Sequence, residues 1–151
     1  MSTTSHITAA RTEVIVVGAA ATETAARAVD RAAELAASLN ARLFVVTAYS
    51  DSSVDVVGAG SDTFELSEAN DAAAFADQTA GRLSSIHGIE ATGVTGEGKP
   101  DDVILGIARD MKATLIVVGN VRMQGPGRLL GSVANGITHH APCDVLVVKT
   151  A

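Results

Sequence analysis

With 151 residues, 47% of them hydrophobic, and a net charge of −6, the chain has the length of one domain and no basic block that would draw it to nucleic acid or an anionic membrane. It has no Trp, one Tyr and three Phe, so its core must be built from Val, Leu, Ile and Ala. Apolar runs such as Val14 to Val17 fall far short of the roughly 20 residues that span a bilayer, and the single Cys143 excludes an internal disulfide and fits a reducing, cytoplasmic setting.

Residues 1–11 lack the apolar stretch of a secretory signal and read as a flexible polar tail before one domain over 12–151. Thr12–Gly18 reads as a first strand. A helix follows from Glu23 to Asn40, with Ala25, Val29, Ala32, Ala33, Ala36 and Leu39 recurring at three and four. Thr22 is placed to cap it, and Asn40 to close it. Arg42–Thr47 is a second strand.

The stretch Tyr49–Leu66 is rich in Ser, Asp and Gly and reads as a long loop. Ser67 is then expected to cap a second helix, with Ala72, Phe75, Ala76, Thr79, Leu83 and Ile86 on one face. Strand three, Glu90–Thr95, is poor in branched apolar residues, which suits a sheet edge. Pro100 fits the first position of a third helix, Asp101 and Asp102 complement its dipole, and Ile104, Ile107, Ala108 and Met111 are expected to be buried. Strand four (Thr114–Val118) and strand five (Asp144–Lys149) flank a glycine-rich loop and a fourth helix, about Ser132–His140. The near-continuous VIVV, LFVV, LIVV and VLVV runs indicate strands covered on both faces, as in a parallel α/β sheet.

In such a sheet, ligands sit beyond the carboxyl ends of the strands, where strand order reverses. Two loops qualify: Gly18–Thr22 after strand one, and Gly119–Ser132 after strand four. In the second, Gly119, Gly125, Gly127 and Gly131 let backbone turn tightly or approach a ligand. Ser132 offers a hydroxyl and an N–H at a helix start, and Arg122 and Arg128 add positive charge. Spacing alone allows a phosphate cradle or a plain strand-to-helix connection. Elsewhere the chemistry is sparse. His139 and His140 suit the negative end of the fourth helix, Cys143 suits an apolar filler beside a strand, and no nucleophile–base pair or metal cluster can be assigned.

The segment GRLLGSVANGITHHAPCDVLVVK, preceded by LIVVGN, resembles the C-terminal signature of the universal stress protein family. That signature is Gly, two residues, Gly, nine residues, Gly, then Ser or Thr, with a helix and a VLVV strand behind it. The resemblance extends from Thr12 to Thr150. It implies a Rossmann-like five-stranded parallel sheet of order 3-2-1-4-5 flanked by four helices, and a homodimer through the last strand, Val145–Lys149. It also implies a nucleotide site, since many members bind ATP and some bind cyclic AMP, with Gly119, Gly131, Ser132 and Val133 at the phosphate positions.

Three departures from the binding pattern stand out. Ala20 occupies the place of an Asp that contacts the adenine or ribose side, and losing a charge-assisted hydrogen bond costs about 1.5–3 kcal/mol. Arg122 replaces the second glycine of the motif. The loop from Gly119 to Gly131 is also one residue short of the family spacing. The resemblance with these departures implies a non-enzymatic, cytosolic stress-response dimer whose adenine-nucleotide pocket binds weakly or not at all. The alternative is an ATP- or cyclic-AMP-binding sensor or weak ATPase that uses the same loop.

Overall fold

The computed structural model describes residues 13–20, 22–50, 61–120 and 131–150. Its elements alternate along the chain as β1 (Val14–Gly18), α1 (Glu23–Leu39), β2 (Arg42–Tyr49), α2 (Ser61–His87), β3 (Glu90–Glu97), α3 (Pro100–Asp110), β4 (Leu115–Gly119), α4 (Ser132–His140) and β5 (Asp144–Val148). All strand pairs are parallel, and the sheet order is β3-β2-β1-β4-β5. The Rossmann-like architecture implied by the sequence is therefore present.

Strand period explains the two cores. Ile15 and Val17 of β1, Leu43 and Val45 of β2, and Val117 of β4 face α1 and α2. Their alternates Val14, Val16, Phe44, Val46, Ile116 and Val118 face α3 and α4. Successive side chains of a strand point to opposite faces, so a run of four branched residues serves both layers. The α1 face is almost entirely alanine: Ala28, Ala32, Ala33 and Ala36 are buried, which lets the helix lie close on β1 and β4.

The helix ends follow their caps. The Thr22 hydroxyl oxygen accepts from the Ala25 N–H at 3.1 Å, and Asn40 closes α1 in the left-handed region at φ 55°. Pro100 opens α3, with Asp101 and Asp102 in its first turn.

The structure corrects several expectations. Tyr49 belongs to β2, and α2 begins at Ser61 rather than being capped by Ser67. The last glycine before that start is Gly60, and no proline interrupts the sequence behind it, so nothing local delays the helix. Ile86, Leu39 and Met111 are exposed although they continue apolar patterns, because each sits in or just past the last turn of its helix, beyond the sheet that covers earlier turns. The strand-five boundary falls at Val148 rather than Lys149. The tail 1–11 and most of the Tyr49–Leu66 loop lie outside the described residues.

β3 occupies one edge as expected, and two of its glycines are close-packing positions. A Cβ on Gly93 would meet the backbone of Ala76 in α2, and one on Gly96 would meet the Val103 side chain in α3. The glycines admit helices from both layers. β5 forms the other edge, with Val145, Leu146, Val147 and Val148 only half-buried in the single chain.

Candidate functional site

The sheet reverses its order between β1 and β4, whose neighbours are built by crossovers on opposite faces. Beyond the carboxyl ends of these strands lies an open cavity of about 640 Å³. That is within the usual range for a small-molecule site. Its floor is Gly18, Ala19, Val46, Ala48, Val118 and Gly119, and its walls come from α1, α2, α3 and α4. Among the described lining residues only Thr47 and Asp71 carry polar side chains.

The loop after β1 is held against β2. The Ala19 N–H donates to the Val46 carbonyl at 2.8 Å, and the Thr47 hydroxyl donates to the Ala19 carbonyl at 3.4 Å. The Thr22 N–H donates to the Ala20 carbonyl at 2.8 Å, which turns the chain into α1. Ala20 is thereby left exposed at the cavity mouth, lining both the main cavity and a smaller recess beside Phe75 and Arg82. No carboxylate can reach the ligand space from this position, because the side chain is a single methyl.

The residues expected at the phosphate positions are brought to the opposite wall. Gly119 ends β4 and lines the cavity, as does Val133 in the first turn of α4. Gly131 is buried at the N-cap of α4, with φ −62° and ψ 160° and no side-chain cap, while Ser132 is exposed at the first helical position. A helix start of this kind offers first-turn N–H groups and the positive dipole end to an anion. The structure therefore places Gly119, Val133 and Ala20 around one cavity, and Gly131 and Ser132 beside Val133 in the chain. Arg122, Gly125, Gly127 and Arg128 lie outside the described residues.

The lining also includes residues of α2, outside the loop motifs. Asp71 and Phe75 stand one helical turn apart on α2, and both line the cavity. Phe75 reads from the sequence as core, and no local motif marks Asp71 or Phe75 for the cavity; α2 brings them there by packing on the sheet. The aromatic ring offers a flat apolar surface, and Asp71 the one carboxylate among the described lining residues.

The remaining candidates have structural roles. His139 and His140 are exposed in the last turn of α4, their ring centroids 6.3 Å apart. Gly136 of α4 lies so close to the Asp101 carboxylate that a side chain there would overlap it, which fits Asp101 as a packing residue at the α3 start. Cys143 packs partly buried beside the α3–α4 core, and its thiol is pushed above the ordinary cysteine range, first by burial and then by the neighbouring Asp144 carboxylate. It is a neutral filler at neutral pH. Among the described residues no group of three or more His, Cys, Asp or Glu could hold a metal, and no helix is long and apolar enough to cross a membrane.

Comparison with known proteins agrees with this fold. The family model described as "Universal stress protein family" matches residues 12–149. A universal stress protein of Mycobacterium tuberculosis (strain H37Rv) is 33% identical over 142 residues, covering 91% of this chain and 97% of that protein. A solved universal stress protein in complex with cyclic AMP is 34% identical, with a TM-score of 0.66 and coverage of 93% of this chain and 98% of that one. A universal stress protein of Lactobacillus plantarum superposes with a TM-score of 0.76 over 92% of this chain and 99% of that one; at 24% identity it shows the fold alone.

Proposed function

The chain belongs to the universal stress protein family, and on that premise we propose that it is a non-enzymatic, cytosolic homodimer of the stress response whose cavity binds adenine nucleotides weakly. The observation that carries this reading is the cavity between β1 and β4, which keeps one half of a nucleotide site and lacks an anchor of the other. Gly119, Gly131, Ser132 and Val133 supply a glycine-lined helix start suited to phosphate. The apolar wall with Phe75 suits a purine ring. Ala20, at the mouth, supplies no charged hydrogen bond to the base or ribose. Such a site gains from burying a flat base and from a phosphate cradle, but lacks a charged partner at Ala20 and has Asp71 as the one carboxylate among its described lining residues.

Family membership supports the non-enzymatic part of this reading. Among the described lining residues there is no His, Lys or Cys, and the Thr47 hydroxyl is spent on the Ala19 carbonyl. The half-buried apolar edge of β5 supports dimerisation, since an exposed strand edge of this composition is a template for pairing.

Thermal unfolding with millimolar ATP tests the site. ATP should raise the midpoint of the wild type slightly, and Ser132→Ala combined with Gly131→Val should abolish the rise. Equal protection of both proteins would remove the α4 start from the site. A second reading, a tight ATP or cyclic-AMP sensor with weak ATPase activity, is favoured by the cyclic-AMP-bound relative at 34% identity. It requires Arg122 or Arg128 to replace the contacts missing at Ala20, and it predicts submicromolar affinity.

A further inference from the structure

One residue gathers the supports of the phosphate wall. Asn120 follows Gly119 at the end of β4, and its own N–H donates to the Val148 carbonyl of β5 at 2.9 Å. Its carbonyl accepts from the Gly131 N–H at 3.4 Å, so the two residues that bracket 121–130 are joined across the loop. Its side-chain oxygen Oδ1 accepts twice from Thr150: from the backbone N–H at 2.8 Å and from the hydroxyl at 3.2 Å. Thr150 itself is buried, 4% exposed.

We infer that Asn120 is the positioning residue of the phosphate cradle and that the buried Thr150 is its anchor. The inference rests on the cavity reading above. Ordered in this way, the main chain of Asn120 is fixed from two directions, by Val148 through its N–H and by Thr150 through its side chain. The carbonyl that remains is the one that holds Gly131, and Gly131 sets where α4 begins and where the Ser132 and Val133 N–H groups stand. Glycine at the cap brings no side chain to do this work. Thr150, after β5, thus supports the ligand site although it does not line the cavity.

The roles are chemically specific. Oδ1 is a double acceptor, so Ala at this position leaves the Thr150 N–H and hydroxyl without their partner. Val at Thr150 removes one of the two bonds and keeps the shape. Neither change alters a residue that lines the cavity.

The test compares three probes, ATP, pyrophosphate and adenosine, on wild type, Asn120→Ala and Thr150→Val by calorimetry. Asn120→Ala should weaken ATP and pyrophosphate about tenfold, roughly what one hydrogen bond contributes to affinity, and leave adenosine within about twofold. Thr150→Val should show the same selectivity with a smaller loss, and it serves where Asn120→Ala folds poorly. A general destabilisation would weaken all three probes together, and that result, or unchanged ATP affinity, would overturn the role of Asn120. Wild-type protein that binds none of the probes would instead overturn the cavity reading, and the inference with it.

Discussion

Gly93 of β3 lies against Ala76 of α2 so closely that a Cβ built on the glycine would stand 2.6 Å from the Ala76 carbonyl carbon. The contact is with backbone, which cannot rotate away. Gly93→Ala should therefore destabilise the fold by about 1–3 kcal/mol, the cost of overpacking a close contact. Gly81 is a control: it is exposed in α2 and a Cβ there meets nothing within 4 Å. Gly81→Ala should stabilise by about 0.5–1 kcal/mol by improving helix propensity. Urea unfolding of the two variants checks the opposite signs.

Ala20→Asp should strengthen nucleotide binding. The position is exposed at the cavity mouth on a loop pinned by Ala19 and Thr22, so a carboxylate can be added without displacing packed atoms. A new charged hydrogen bond at an open site is worth about 1.4 kcal/mol, a tenfold gain in affinity. Calorimetric titration with ATP measures it. Unchanged affinity would show that the missing acid is not what limits binding.

Cys143 should react slowly with alkylating reagents in the native protein. Burial and the Asp144 carboxylate raise the thiol above its ordinary range, so the folded state holds the proton more tightly than the unfolded chain does. The sign follows: the stability linked to this group is fully present below the unfolded thiol's pKa and is lost as pH rises through the folded one. Iodoacetamide rates at neutral pH should be lower folded than in urea and should converge in alkali. A native rate equal to the unfolded rate at neutral pH would contradict this.

The β5 edge should pair with a second copy. Val145, Leu146, Val147 and Val148 remain half-buried, whereas Ile15, Val16 and Val17 of the central strand are fully covered. Sedimentation at micromolar concentration should give twice the chain mass, and a monomer at that concentration would rule out a stable β5 interface.

Much of the fold was legible because branched apolar runs report burial on both faces and cap residues report helix ends. Thr22, Asn40 and Pro100 stand where their chemistry demands. What failed has physical causes. The run of periodicity through Leu39, Ile86 and Met111 overshoots the sheet, and local pattern carries no measure of where a covering layer stops. The start of α2 was hidden because its first turn has no sharp apolar signal. Of the site, Gly119, Val133 and Ala20 were legible from the loop motifs and do meet around one cavity, but Asp71 and Phe75 reach it from α2 through tertiary packing that no local motif encodes. The contacts of Asn120 are equally hidden from local pattern, since its partners Val148 and Thr150 lie at the far end of the chain.

The most direct test is calorimetric titration of purified wild-type protein, stripped of bound ligand, with ATP and with cyclic AMP. The proposed site, with phosphate at the α4 start and no acid at Ala20, predicts saturable binding with dissociation constants between high micromolar and millimolar. A submicromolar constant for either nucleotide, or no heat at millimolar concentration, would contradict it.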